Sequence, residues 1–538
     1  MTATNHVPTP HPDISAWSPF HHIVYRRMWI ASVVANTGAW VYSAAAAWMM
    51  TSFDAGPLMV SLVQVATSLP MFLFALPAGA LADIINQRRF ILTLEILVAG
   101  IAGLFAVLVS AGWVAPWTLL LFTFAIGIVE ALEAPSWQSV VPQLVPKQDL
   151  GPAIAASSVG INISRAIGPA LAGAIIAGAG ITAPFWLVAF SNFGVIGVFW
   201  WWKPSRAHER SLPPERVVGA IRIGFRYARN NRLLRATLAR SVGFFLFASA
   251  YWALLPLLAR NQIGGGPELY GILLGAIGAG AVGGAFILPQ LKAKIGANRL
   301  VALGEVGTAV GLILFGLARE PIMATFASLA AGICWIAVVA SLNVSAQKAL
   351  PDWVRGRGLA IYVTVFFGTM TLGSAAWGAL SEVVGLSVTH YIAALGAIAA
   401  VPLTSRWKLH TDANIDLTPS MHWPEPVVTE PVENDAGPVM VTVEYRIEIK
   451  NRDAFLQSVE DLARERKRDG SYAWGIFQDT ADDTRFVETF YLESWAEHLR
   501  QHHRVTKADR LLERNVRKYL SELPKTTHYI AADRKEGE

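Results

Sequence analysis

Five ionisable residues stand inside long apolar stretches of this chain: Glu95, Glu130, Glu133, Arg165 and Glu305. A charge in such surroundings is costly, and those that persist usually carry ions, protons or substrates. Burial favours the neutral form of a carboxylate and a nearby guanidinium favours the charged form, so a group held between the two can exchange protons. Arg165 is the deepest basic residue and needs a carboxylate, for which Glu130 is the expected partner. These two are the candidates for proton coupling or gating; the competing reading is a static ion pair or snorkelling near the cytosolic surface. Polar and aromatic residues in the same stretches are cavity candidates: Asn36, Trp40, Gln64, Phe244, Tyr251, Trp252, Trp335, Asn343, Phe366 and Phe367. Aromatic faces suit large, flat, amphipathic organic molecules. There is no nucleophile-elbow, Walker or dinucleotide motif. The single cysteine, Cys334, excludes a disulfide scaffold, a cysteine zinc site and an iron–sulfur cluster, and reads as a small core residue. No enzyme activity, cofactor or metal is expected.

The elements that must position these residues are membrane helices. Of 538 residues, 53% are hydrophobic and 15% charged, against about 25% charged in ordinary soluble domains. Mean hydropathy is +0.41. This excludes a disordered chain, a nucleic-acid-binding protein and a purely soluble enzyme. A bilayer crossing takes about 20 mostly apolar residues. Twelve such runs are present, at 28–50, 58–82, 90–111, 116–135, 153–178, 182–202, 237–260, 268–290, 298–317, 322–345, 358–383 and 387–405. The first is too long for a cleavable signal and no small-residue cleavage site follows it.

Charge predicts orientation. Residues 1–410 carry a net +12 and residues 411–538 a net −7. With the N-terminus inside, alternate segments place 23 Lys and Arg inside and only Arg260 and Arg319 outside. The positive-inside rule then puts both termini in the cytoplasm of a multi-pass inner-membrane protein. The segmentation is a tail at 1–27, six helices at 28–202, a central loop at 203–236, six helices at 237–410, a linker at 411–437 and a soluble domain at 438–533. Within the central loop, Arg216–Arg235 interleaves arginines with apolar residues. It reads either as an interfacial helix under anionic headgroups or as a solvated linker helix.

Between the second and third runs stands Gly79-Ala80-Leu81-Ala82-Asp83-Ile84-Ile85-Asn86-Gln87-Arg88-Arg89. This resembles the signature loop of the major facilitator superfamily, Gly-x-Leu-Ala-Asp-Arg-x-Gly-Arg-Lys, and departs from it at Ile84, Asn86 and Gln87. The resemblance implies a conformational latch of Gly79, Asp83, Arg88 and Arg89. Gly284, Pro289, Lys292, Lys294, Gly296 and Arg299 form a weaker echo between runs eight and nine, as two related halves would. Gly168-Pro169 followed by Gly173 resembles the glycine–proline signature of the antiporter branch, which implies that Gly168 and Pro169 serve coupling or gating with Glu130 and Arg165. Glu133-Ala134-Pro135-Ser136, Val145-Pro146 and Asn162-Ile163-Ser164-Arg165 resemble the branch of enterobactin exporters, macrolide efflux pumps and transmembrane secretion effectors. The implied fold is an all-α twelve-helix membrane protein with 6+6 pseudo-symmetric halves. The implied function is proton-coupled export of a siderophore- or drug-like amphipathic compound by alternating access; import remains open. The expected partners are the lipid bilayer, protons and that small organic substrate, with no nucleic acid.

After the Pro-rich linker, Val439, Val441, Val443, Tyr445, Ile447 and Ile449 alternate with polar residues, the pattern of a half-buried strand. A helix at 451–468, a hairpin from 472 to 493, one long helix at 495–520 and a strand at 526–531 complete a βαββαβ, ferredoxin-like order. The domain resembles the dimeric α/β-barrel group of antibiotic-biosynthesis monooxygenases and haem-degrading relatives. That resemblance implies dimerisation and leaves open a membrane-tethered monooxygenase or haem-handling enzyme using Trp474 and a helix His. His498 and His502 stand i,i+4 and could bind a metal. The neighbouring Glu497, Arg500, Arg504 and Asp509 instead read as a solvated helix, and a structural or regulatory domain is expected.

Overall fold

The computed structural model describes residues 15, 17–203, 217–409, 416–420, 422, 423, 426 and 428–532. The long helices are α1 (Ile23–Thr51), α2 (Pro57–Ile84), α3 (Gln87–Ser110), α4 (Pro116–Leu144), α5 (Leu150–Ala179), α6 (Ala183–Trp201), α8 (Arg232–Leu257), α9 (Pro267–Leu317), α10 (Pro321–Lys348), α11 (Arg355–Val384) and α12 (Leu386–Ser405); a short α7 (Val217–Asn230) precedes α8. Proline opens α2, α4, α6 and α9 in the first turn, where its missing N–H costs nothing. Among the described residues, ten helices are long and apolar enough to cross a membrane. The first expected run lies in α1, which is not among the ten. Runs eight and nine are joined in α9. The expected loop between them shrinks to one break at Gly296, whose φ of +77° needs a residue without Cβ.

The chain divides into two compact units. The first contains Met1–Pro214, Arg240–Ser341 and Val363–Arg406. In it α5 packs against α1 and α9, α2 against α4, α3 against α6, and α9 against α12.

The second unit contains Glu215–Ala239, Leu342–Tyr362 and Trp407–Glu538. Its core is an antiparallel sheet of order β2-β3-β1-β4, formed by β1 (Val439–Arg446), β2 (Ala473–Gln478), β3 (Arg485–Leu492) and β4 (Lys525–Ile530). Helices α13 (Arg452–Arg468), α14 (Trp495–Arg504) and α15 (Lys507–Arg517) complete the ferredoxin-like fold. Val439, Val441, Val443, Tyr445, Phe455, Phe486 and Phe490 build the core. The single helix expected at 495–520 is two. Val505 turns extended (φ −62°, ψ 125°) and Thr506 with Asp509 forms a capping box that starts α15.

The basic segment at 216–235 is α7 and the start of α8. Asn231 separates them by accepting from the Leu234 N–H at 2.9 Å. Two of its arginines contact the soluble fold, whereas Arg229, Arg232 and Arg235 are exposed. Arg222 and Arg226 reach Glu493, Arg226 also donates to the Gly470 carbonyl, and the Arg468 guanidinium lies over the Tyr227 ring at 5.6 Å. The linker is in part laid down on the same domain. Ser420 N–H donates to the Val505 carbonyl at 2.9 Å, and Trp423 donates to Glu513 at 2.8 Å.

Candidate functional site

The aromatic candidates of the C-terminal half converge. On α8, Phe244, Tyr251 and Trp252 approach Trp335 of α10 with ring centroids 5.8, 6.4 and 5.3 Å away. Phe366 of α11 lies 6.3 Å from Trp335, and Phe367 4.6 Å from Phe366. Trp252, Phe366 and Phe367 are only half-buried. Two members escaped the sequence reading, Phe245 and Phe315, because nothing but their place on the helix separates them from packing residues. The other candidates stand apart. The Asn36 amide is spent on the Ser32 carbonyl at 2.8 Å, Gln64 lies on α2, and Asn343 belongs to the second unit. Trp40 lies under Arg165, with the guanidinium 5.4 Å from its ring centroid.

Arg165 and Glu130 are not paired. Among the described residues Arg165 finds the Trp40 face, and its Nε is buried without a hydrogen-bond partner. The expectation took α4 and α5 as adjacent because the resemblance to the major facilitator superfamily implies it. In fact α5 packs on α1 and α9, whereas α4 packs on α2 and α3. The acids gather among themselves. Buried Glu95 of α3 hydrogen-bonds Glu133 of α4, and Trp137 Nε1 donates to Glu133 one turn further on. Glu130 adjoins this pair electrostatically and is exposed on the α4 surface. Two carboxyl groups sharing a hydrogen bond hold a proton between them. In the other half Glu305 of α9 is 1% exposed and its electrostatic neighbour is Arg240 of α8, 3% exposed. Arg240 was counted with the cytoplasmic charges because it lies near the end of a span.

Small residues let the halves meet. A Cβ on Gly168 would lie 2.5 Å from Trp40 Cβ, closing α5 on α1. On the other side of α5, a Cβ on Gly173 would meet the Pro267 carbonyl at 2.7 Å and Gly271 Cα at 3.0 Å. Gly278 stands equally close to Ala166. The α5–α9 crossing is thus a backbone-to-backbone contact of the small-residue kind. Between α2 and α11, the hydroxyls of Ser68 and Thr371 hydrogen-bond at 2.8 Å. Arg260 donates to Thr51 at 3.2 Å where α1 ends.

In the loop expected to form a latch, a Cβ on Gly79 would meet nothing within 4 Å, so close helix approach does not require a glycine there. The Asp83 side chain lies outside the described residues. Arg88 binds the end of α6. Its Nε and a terminal nitrogen donate to the Phe199 and Trp200 carbonyls at 2.9 and 2.8 Å, satisfying a helix C-terminus. Arg89 donates its backbone N–H to Asn86 Oδ1, which caps α3.

Residues 14–536 match the transmembrane secretion effector family. The chain belongs to it. This family of major facilitator transporters makes the protein a multi-pass membrane transporter. Among curated proteins it is similar to the staphyloferrin A transporter of Staphylococcus aureus (24% identity; 67% of this chain, 90% of that protein). It is also similar to the enterobactin exporter EntS of Escherichia coli O1:K1 (23%; 67% and 85%) and to the multidrug efflux pump Tap of Mycobacterium bovis (24%; 74% and 96%). In fold it resembles a bacterial homologue of the lysosomal transporter Spinster in an inward-facing, unoccupied conformation (TM-score 0.57, 16% identity; 72% and 98%) and the nucleoside transporter NupG (0.58, 12%; 71% and 99%).

In the ferredoxin-like domain of this secretion effector, Trp474 does not meet the helix histidines. It sits on β2, at one edge of the sheet, with Nε1 donating to buried Glu488 at 2.9 Å. It also lines a cavity of about 300 Å³ with Arg452, Glu460 and Phe486. His498 packs at the other edge, beside His528 of β4. Three strand spacings, about 14 Å, separate the edges. The helix face expected to be solvated is buried: His498 is 1% exposed, and Glu497 and Arg504 are buried as a mutual ion pair.

Proposed function

We propose that this transporter expels an amphipathic organic compound, siderophore- or drug-like, from the cytoplasm in exchange for protons. The observation that carries this reading is the close α5–α9 crossing between the two halves. Glycine and alanine bring backbones into contact there, so one half can rock against the other with few side chains in the way, as alternating access requires. The half-buried rings of Trp252, Phe366 and Phe367, packed around buried Trp335, suit a flat apolar ring system. The Glu95–Glu133 pair, with Glu130 beside it and Arg165 over Trp40, supplies groups able to take up and release a proton. The names of the relatives, a siderophore transporter, a siderophore exporter and a drug efflux pump, agree with such a substrate. Both termini lie in the cytoplasm, Gly79, Asp83, Arg88 and Arg89 form the latch, and the chain is a transporter without enzymatic activity of its own. The ferredoxin-like domain pairs with a second copy through its open sheet face, where Phe477 and Tyr529 are exposed.

Proteoliposomes test this directly. With an imposed proton gradient, a fluorescent amphipathic cation should move against the proton flow and stop when a protonophore collapses the gradient. Transport indifferent to the gradient would remove proton exchange.

A further inference from the structure

Three histidines meet in the ferredoxin-like domain with no function in the transport reading. His498 and His502 lie one turn apart on α14, and His528 comes from the core face of β4, opposite Val441. One nitrogen from each ring lies within 4.8 Å of the others, and the centroids of His502 and His528 are 4.8 and 4.7 Å from that of His498. Sequence spacing offered only the i,i+4 pair; the sheet supplies the third ring.

We propose that His498, His502 and His528 form a binding site for a late first-row transition-metal dication such as Zn²⁺. The second observation is the state of His498. It is 1% exposed, yet both its ring nitrogens lack a hydrogen-bond partner. A buried polar ring without partners carries an uncompensated desolvation cost unless something binds it. His502 and His528 are half-buried, which leaves an entry path to the ring below. Metal–nitrogen bonds of about 2.0–2.1 Å put ligand nitrogens about 3.4 Å apart, within reach of small ring rotations. The nearby carboxylate Glu497 is committed to Arg504 and Arg500, so the donor set is three imidazoles. That set suits Zn²⁺, Ni²⁺ or Cu²⁺ and disfavours Ca²⁺ and Mg²⁺. Three ligands leave a coordination position for water or an exogenous donor.

The test uses the full-length detergent-solubilised protein, purified without a polyhistidine tag and stripped with a chelator. Titration with Zn²⁺ should give one ion per chain, and Co²⁺ should give the visible bands of a nitrogen-ligated, low-coordinate ion. His502→Ala and His528→Ala, at half-buried positions, should each weaken Zn²⁺ binding at least ~10-fold, while His21→Ala leaves it unchanged. His502→Gln, which keeps a polar side chain, should lose affinity likewise if the first variant folds poorly. Absence of a stoichiometric ion in the wild-type chain, or binding unmoved by the cluster variants, overturns the proposal.

Discussion

Glu130 and Glu133 are one helical turn apart but meet different surroundings. Glu133 is held by Glu95 and Trp137, whereas Glu130 is exposed on α4. Glu130→Gln should therefore reduce gradient-driven transport at least ~100-fold at wild-type expression. Downhill counterflow of substrate should survive; retained uphill transport would take Glu130 out of coupling. In the soluble domain Glu513 shows how partners override burial. Burial opposes its ionisation, but His422, Arg466 and Trp423 outweigh it and hold its pKa down at about 2. Its folded pKa lies below the unfolded value near 4.5, so its contribution is complete above pH 4.5 and fades as pH falls toward 2. That contribution is about 3 kcal/mol. Glu513→Gln should lower domain stability by that order at pH 7, read from hydrogen exchange of α15 amides. It should also flatten the acid dependence between pH 4.5 and 2. The acids were legible in the sequence as charges in apolar runs. Their partners were not, because a guanidinium can be answered by an aromatic face and a carboxyl by another carboxyl.

At the scale of elements, hydrophobic run length located nearly every helix, since backbone groups in hydrocarbon must be satisfied within one helix. It missed the joining of two runs in α9, where one glycine conformation does the work of a loop. It also missed the α14–α15 break, where Thr506 competes successfully against helix continuation. The α5–α9 crossing carries the strongest prediction at this scale. Gly173→Leu inserts a side chain where even a Cβ would lie 2.7 Å from the Pro267 carbonyl. It should abolish transport while the protein still reaches the membrane, and crosslinking across the crossing should report the halves held apart. Gly178→Leu, on the same helix with nothing within 4 Å of its Cβ, should transport normally. Equal loss in both would mean that small residues in α5 matter for insertion rather than motion.

For the whole molecule, the bias of 23 inside to 2 outside Lys and Arg predicts the placement of the soluble domain. In a Cys334→Ser background, a cysteine at Ser521 should be protected from impermeant maleimide in intact cells and labelled once they are opened. A cysteine at Trp113, in the α3–α4 turn, should show the reverse; labelling of the first in intact cells would invert the topology. Within the second unit, α7 binds the ferredoxin-like fold through Arg222, Arg226 and Tyr227, so the segment between the two bundles is held by protein.

By itself the sequence determined that this chain lives in a bilayer, that most of it is apolar membrane helix, and that an α+β domain follows. Hydrophobic run length, charge bias and strand alternation are local properties, enforced residue by residue by the solvent. Tertiary structure alone decided which charges meet. Arg165 finds Trp40 and Glu95 finds Glu133; α7 faces protein, and His528 crosses from a strand to the two histidines of α14. Each of these depends on which helix or strand lies beside which, a choice made by packing small residues and burying faces over long sequence distances.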